Sequence, residues 1–406
     1  MDNTDEIVEI KGHLIDSGIM SSVLDQIIKG KGSFEIFEFI VGKTNEDFST
    51  AKIRIHGHTR EDLGRILENL HELGCYITDS QDARLCRTEK AACVPDDFYS
   101  TTNHKTFVRL NGDWVMVREQ RMDAVVAVEQ GRPRCKKLRD VKAGDLVVCG
   151  VAGVKVIPEA KARDRNDFSF MDSEISSEKK ASLGVKKLAA IFTQIKAAGG
   201  KIVVVAGPVV VHTGGVEPLA DLIRNGFVDV LLGGNAIAVH DIEHALYATS
   251  LGVDLNTGIP VAHGHKNHMR AINTINRYGS IAAAVEQGAL RSGILFECVK
   301  KGIPYVLAGS IRDDGPLPDV TMDMIAAQEA YAKALKGARL VLMLSTMLHS
   351  IGTGNMIPSE VMTVCVDINP AVVTKLADRG SAQAIGVVTD VGLFLNLLTK
   401  ELIGKT

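Results

Sequence analysis

Residues 203–215, VVVAGPVVVHTGG, run through three valines and then break at Ala-Gly-Pro. An apolar run with no polar alternation is a strand buried on both faces, which belongs in a parallel sheet covered by helices. The same pattern returns at 228–241 (VDVLLGGNAIAVHD), 304–316 (PYVLAGSIRDDGP), 340–350 (LVLMLSTMLHS) and 363–370 (TVCVDINP). Each run ends in small or polar residues. Candidate helices fill the intervals at 183–200, 217–226, 242–252, 280–290, 321–337 and 370–380, several closed by glycine. Such alternation predicts a doubly wound α/β domain over 182–406, whose ligands gather beyond the carboxyl ends of the strands. The expected occupant of that edge is a nucleotide or dinucleotide.

Upstream the texture changes. Residues 161–181 mix both charge signs with few apolar side chains and are read as an exposed linker. Short strands at 106–110, 113–117, 123–130, 145–150 and 153–157, separated by turn signals such as Asn111-Gly112, make 95–160 a small β-rich region. Residues 1–94 run strand, helix, strand, strand, helix, strand, the order of the split βαβ or ferredoxin-like α+β module. Leu63, Ile66, Leu67, Leu70 and Leu73 form the apolar stripe of its second helix, and Gly30 and Gly74 stand where its helices stop.

With 46 basic against 49 acidic residues and a net charge of -3, nothing in the bulk electrostatics favours nucleic acid or an anionic membrane. Small molecules are favoured instead. No apolar stretch approaches the roughly 20 residues of a spanning helix, and the acidic start is unlike a signal peptide. Seven cysteines without a CxxC pair fit reduced intracellular thiols, so the cytoplasm is the expected address.

The loop at 207–215 offers Gly207, Pro208, His212, Thr213 and Gly214 to an anion at a helix start, although neither GxGxxG nor a P-loop is present. Gly233 permits close approach, and Asn235 supplies a donor and an acceptor. His240 stands beside Asp241, which reads as a helix cap. His263, His265 and His268, with Lys266, form a histidine-rich stretch without a nearby cysteine or carboxylate cluster, so no metal is expected and a substrate-facing lid is preferred. Arg312, Asp313, Asp314 and Asp319 crowd one strand end, and Asp314 is placed to accept a proton or anchor an ammonium group. Ser345, Thr346, Met347 and His349 follow the next strand. Asp367, a candidate for ribose hydroxyls, and Asn369 follow another, and Asp390 ends GVVTDVG.

Several long segments carry a resemblance: 12–25, 96–114, QRMD at 120–123, 203–215, 233–243, 307–319, 346–355 and 366–386. Together they span nearly the whole chain, which resembles the archaeal-type ornithine cyclodeaminases, with a C-terminal part similar to lysine-oxoglutarate reductase/saccharopine dehydrogenase-like domains. The dinucleotide fold also looks like that of deoxyhypusine synthase and the sirtuins. In cyanobacterial relatives the module follows an arginine dihydrolase domain that has no counterpart among these residues. The resemblance implies conversion of L-ornithine to L-proline and ammonia, with NAD recycled in each turnover, in a homo-oligomer of two or four chains. It implies a dinucleotide site of Gly207, Pro208, His212, Thr213, Gly214, Gly233, Asn235, Ser345, Thr346, Met347, Asp367, Asn369 and Asp390. The reacting end is expected at His240, Asp314 and His349, with Asn103, Arg121 and Asp123 binding substrate from the β-rich region. An NAD-linked dehydrogenase of the lysine or saccharopine type, an aminobutyl transferase using Lys266 and a non-catalytic amino-acid sensor remain as alternatives.

Overall fold

The structure is a computed structural model and describes residues 4–15, 18–44, 47–77, 81–157, 177–250, 253–254, 266–313, 315–379 and 384–404. The chain forms two compact units, Met1–Asp167 with Ile357–Glu360, and Phe168–Met356 with Val361–Thr406.

The first unit begins with β1 (Asp5–Gly12), α1 (Ile19–Lys29), β2 (Ser33–Ile40), β3 (Ser49–His56), α2 (Arg60–Glu72) and β4 (Tyr76–Ile77). Their antiparallel sheet has the order β2-β3-β1-β4, the ferredoxin-like arrangement read from the sequence. Strict alternation along β3 turns Ala51, Ile53 and Ile55 inward, where they meet Val23 and Ile27 of α1 and Leu63, Ile66 and Leu70 of α2. Thr59 caps α2 by accepting the Asp62 amide at 3.0 Å, and Gly30 ends α1. Near the end of α2, His71 is buried beside Tyr99, and burial lowers its pKa to about 4. A folded pKa below the unfolded value of 6.5 means that only the unfolded chain takes up the proton between those two values. Stability is therefore complete above pH 6.5 and is lost as pH falls toward 4, by up to roughly 3 kcal/mol. Urea midpoints of the first unit's transition should fall over that range, and His71→Gln should flatten the slope; an unchanged slope contradicts the assignment.

The β-rich part comprises β5 (Arg84–Arg87), β6 (Lys105–Leu110), β7 (Asp113–Met116), β8 (Val125–Glu129), β9 (Arg132–Lys136), β10 (Leu146–Cys149) and β11 (Val154–Ile157). They form the sheets β5-β10-β8-β9 and β11-β6-β7. Asn111 (φ 54°) and Gly112 (φ 88°) make the β6–β7 hairpin, for which both central residues need positive φ. Two strands escaped the sequence reading. β5 lies within the stretch assigned to the first module, and β9 carries Pro133, tolerated because β9 is an edge strand.

The second unit opens with α3 (Ser177–Ala197), which starts inside the stretch read as linker; residues 158–176 lie outside the described residues. There follow β12 (Lys201–Ala206), α4 (Val209–His212), α5 (Val216–Arg224), β13 (Val230–Gly234), α6 (Asn235–Tyr247), β14 (Thr249–Ser250), β15 (Val253–Asp254), α7 (Asn267–Tyr278), α8 (Ile281–Glu286) and α9 (Ile294–Lys301). The chain continues through β16 (Tyr305–Ala308), β17 (Val320–Thr321), α10 (Met324–Leu335), β18 (Ala338–Leu344), α11 (Met347–Gly354), β19 (Met362–Asp367), α12 (Pro370–Arg379), β20 (Ala384–Val388) and α13 (Val391–Ile403). Among the described residues the main sheet is seven-stranded and parallel, ordered β17-β16-β13-β12-β18-β19-β20. Counting from β12 and setting aside the edge pair β17, this is 3-2-1-4-5-6, the order of a doubly wound dinucleotide fold. The order reverses between β12 and β18, which fixes where a ligand crevice opens. No helix among the described residues is long and apolar enough to cross a membrane.

Candidate active site

At the switch point the loops after β12 and β18 touch. The Gly207 amide donates to Leu344 O at 2.9 Å, and a Cβ on Gly207 would lie 2.3 Å from Ser345 O and 2.9 Å from Thr346 Cβ. Only a residue without a side chain lets these strand tips close. Gly207→Ala must push backbone against backbone and should cost about 2 kcal/mol. A thermal midpoint equal to the parent's would show that the contact is slack. Ser345 is held at φ 44°, a left-handed conformation that costs a non-glycine residue about 1 kcal/mol and marks this tip as strained.

The tip of β13 reaches across to the same place. A Cβ on Gly234 would lie 2.7 Å from His349 Cε1, so the imidazole rests against bare backbone. His349 Nδ1 is 3.1 Å from Thr346 Oγ1, and burial lowers the ring's pKa against the opposing effect of Asp313. Tyr331 donates to Gly233 O at 2.7 Å and stacks loosely against His349, with ring centroids 6.3 Å apart. Asn235 Oδ1 accepts the Leu317 amide at 3.1 Å, which ties the loop after β16 to this edge. Asp367, half-buried at the end of β19, accepts the Asn369 amide at 2.8 Å.

A second group lies along the middle of α6. His240 is 6% exposed and its ring sits 4.7 Å from that of His212 and 5.1 Å from that of His268. Burial, then the neighbouring His212 and His268, bring His240 down to about 4, so it is neutral at pH 7. Glu243, wholly buried, accepts from Thr249 Oγ1 at 2.9 Å and lies 3.9 Å from His240 Nδ1. His268 Nδ1 is 3.4 Å from the same carboxylate but not aligned as a hydrogen-bond donor. His240, Glu243 and His268 bring donor atoms within 4.8 Å of one another. Ser250 and Thr249 bond His240 and Glu243, so these side chains form a hydrogen-bonded array.

Comparison with known proteins gives this edge a context. The family of the C-terminal Rossmann-fold region of ArgZ-like arginine dihydrolases matches residues 186–398, the first C-terminal region of the same proteins matches 105–185, and the LOR/SDH bifunctional-enzyme conserved region matches 5–104. An ornithine cyclodeaminase of Methanothermobacter thermautotrophicus is 52% identical over 403 residues, covering 98% of this chain and 98% of that protein. The chain belongs to the ArgZ-like ornithine cyclodeaminase family. The bifunctional arginine dihydrolase/ornithine cyclodeaminase AgrE of Nostoc sp. is 51% identical over 405 residues, covering 98% of this chain; the chain spans 58% of that longer relative. The apo structure of ArgZ, from the cyanobacterial ornithine-ammonia cycle, matches with TM-score 0.85 at 45% identity over 98% of this chain and 58% of its own. A ternary complex of AgrE with ornithine and NAD+ matches with TM-score 0.55 at 50% identity over 98% of this chain and 57% of its own.

For this cyclodeaminase-family chain the structure gathers Gly207, Pro208, Gly233, Asn235, Ser345, Thr346 and His349 around the switch point and its two neighbouring tips. Exposed Met347 opens α11. Other candidates have structural duties. The amides of residues 210–215 all donate to backbone carbonyls of the same loop because α4 intervenes, so they make no open anion cradle. Thr213 Oγ1 bonds back to Val209 O, and Gly214 (φ 76°) turns the chain into open space. Asn369 caps the start of α12 through the Ala371 amide, and Asp390 caps α13 through Leu393. Asp241 caps α9, a different helix from its own. Asp314, His263 and His265 lie outside the described residues, and His268 stands on α7 rather than in a lid loop.

In the first unit Thr101 ties Arg121 to Asp123, while Asn103 bonds elsewhere. Thr101 Oγ1 donates to Arg121 O at 2.7 Å, the Asp123 amide donates to Thr101 O at 3.1 Å, and Asn103 O accepts the Ser359 amide at 2.9 Å. Arg121 Nε is buried with no hydrogen-bond partner among the described residues, and burial lowers the guanidinium's pKa. The sequence reading missed Ser250, Thr249 and Glu243.

Proposed function

We propose that this chain is an NAD-dependent ornithine cyclodeaminase that converts L-ornithine to L-proline and ammonia by internal hydride removal and return. The observation that carries the reading is the collinear match over 98% of both this chain and the archaeal ornithine cyclodeaminase, joined to a parallel sheet whose switch point falls on the candidate residues. NAD suits that edge: the tips of β12, β13 and β18 end in small residues at the switch point, and Asp367 sets a carboxylate, a group able to accept ribose hydroxyls, at the tip of β19. Bound there, the nicotinamide supplies a hydride acceptor for ornithine Cα and a donor to the cyclised imine.

The protein's part is orientation and proton handling. Arg121, desolvated and with no hydrogen-bond partner for Nε among the described residues, is our candidate for the substrate carboxylate through charge-assisted hydrogen bonds. Neutral His240 has the lone pair that a base at the α-ammonium needs, and the Glu243 carboxylate beside it favours the imidazolium that forms. His349, also neutral, is oriented by Thr346 at the strand tip. We place the enzyme in the cytoplasm, in keeping with seven free cysteines, and as a homo-oligomer: the edge strand β2 exposes Phe37, Phe39 and Ile40, apolar side chains on an edge that a second copy could cover.

Ornithine deuterated at Cα tests the reaction. Hydride return predicts proline that keeps the label at Cα, and label washed into solvent contradicts it. A dehydrogenase of the lysine or saccharopine type would instead leave deuterium on accumulating reduced cofactor.

A further inference from the structure

Ser250 is 2% exposed on the short strand β14, and its Oγ lies 3.1 Å from His212 Nδ1 and 3.1 Å from His240 Nδ1. A hydroxyl owns one proton, so it donates to one ring and accepts from the other. The two imidazoles are therefore held as unlike tautomers. His212 is exposed and His240 is buried, so the three groups lead from the surface to the interior of the second unit. The titratable groups facing His240 are His212 from α4, His268 from α7 and Glu243 on its own helix. Glu243 is fixed by Thr249, whose hydroxyl also accepts Asn267 Nδ2 at 3.1 Å.

The geometry points to a proton conduit, His212–Ser250–His240, with Ser250 as its positioning residue. A proton taken up at His212 Nε2 makes that ring cationic. The ring's Nδ1 proton passes to Ser250 Oγ as the serine's own proton passes to His240 Nδ1, and His240 releases a proton from Nε2. Only N–H and O–H bonds are exchanged, and both rings end in the opposite tautomer. Passage in the other direction resets them.

The conduit's use rests on the cyclodeaminase reading. Singly cationic ornithine gives zwitterionic proline and ammonium, so the reaction neither takes up nor releases a net proton. A proton removed from the α-ammonium must be returned to the departing ammonia, and a reversible conduit does both.

The test uses the full chain with ¹⁵N-histidine labelling, together with Ser250→Ala and Ser250→Thr. In the parent, magnetic resonance should show one of His212 and His240 protonated at Nδ1 and the other at Nε2. Ser250→Ala should abolish that pairing, displace the pH–rate profile and lower ammonia release by about tenfold or more, and Ser250→Thr should restore all three. Two Nε2–H rings in the parent would overturn the conduit, because one hydroxyl cannot donate to both; so would a Ser250→Ala rate and pH profile equal to the parent's. Absence of ammonia from the parent would instead remove the cyclodeaminase reading, while the tautomer pair still decides the hydrogen-bonded unit.

Discussion

His240→Gln should lower ornithine-dependent ammonia release by about 10²–10⁴-fold, the contribution of a positioned acid or base. Glutamine keeps a polar group of similar reach in a buried position, but it cannot take and return a proton near neutral pH. The parent ring is neutral because burial and two neighbouring histidines hold it near 4. The thermal midpoint should stay close to the parent's, which separates lost chemistry from lost folding. A variant that releases ammonia at the parental rate would remove His240 from the reacting end.

Asp241→Ala should destabilise the second unit by about 2–4 kcal/mol. The carboxylate is wholly buried and accepts the amides of Ile294 at 2.8 Å and Leu295 at 2.9 Å, the first turn of α9. Burial pushes the acid up to about 6, and the two amides pull in the opposite direction. A Cβ on Gly293 (φ 107°) would sit 2.9 Å from the carboxylate oxygens, so the cap and the glycine fit only together. Alanine leaves two buried donors without acceptors, whereas Asp241→Asn keeps an acceptor and should lose less. Urea midpoints for the two variants check the order, and equal values would show that the cap carries little.

The parallel sheet was legible because Val203–Val205, Leu231–Leu232 and Leu340–Leu344 are uninterrupted apolar runs, which only strands covered on both faces require. The ferredoxin-like module was equally plain in the period-two pattern of β3 and the stripe of α2. β9 was hidden by its arginines and proline, which are tolerable only at an edge that other strands define. The candidate site was half legible. Strand tips can be counted along a chain, so Gly207, Ser345 and Asp367 could be placed at one sheet edge; whether a polar side chain caps a helix depends on its neighbours, so the capping bonds of Asp390 and Asn369 were not foreseen.

Ser250 was missed for a sharper reason. Residues 242–252 read as one helix, but the chain leaves it at Tyr247, turns through Ala248 at φ 55°, and puts Thr249 and Ser250 on a strand against Glu243 and His240. Nothing in local propensity announces that turn. His212, His240 and Ser250 come from three separate elements, and their meeting is a property of the folded unit.

The most direct test is the number of turnovers per cofactor. Purified protein given excess L-ornithine and far less NAD than ornithine should form proline and ammonia in equal amounts, many times over per NAD, with no net rise in reduced-nicotinamide absorbance. Reduced cofactor accumulating one for one with ornithine consumed, or no proline at all, would contradict the account.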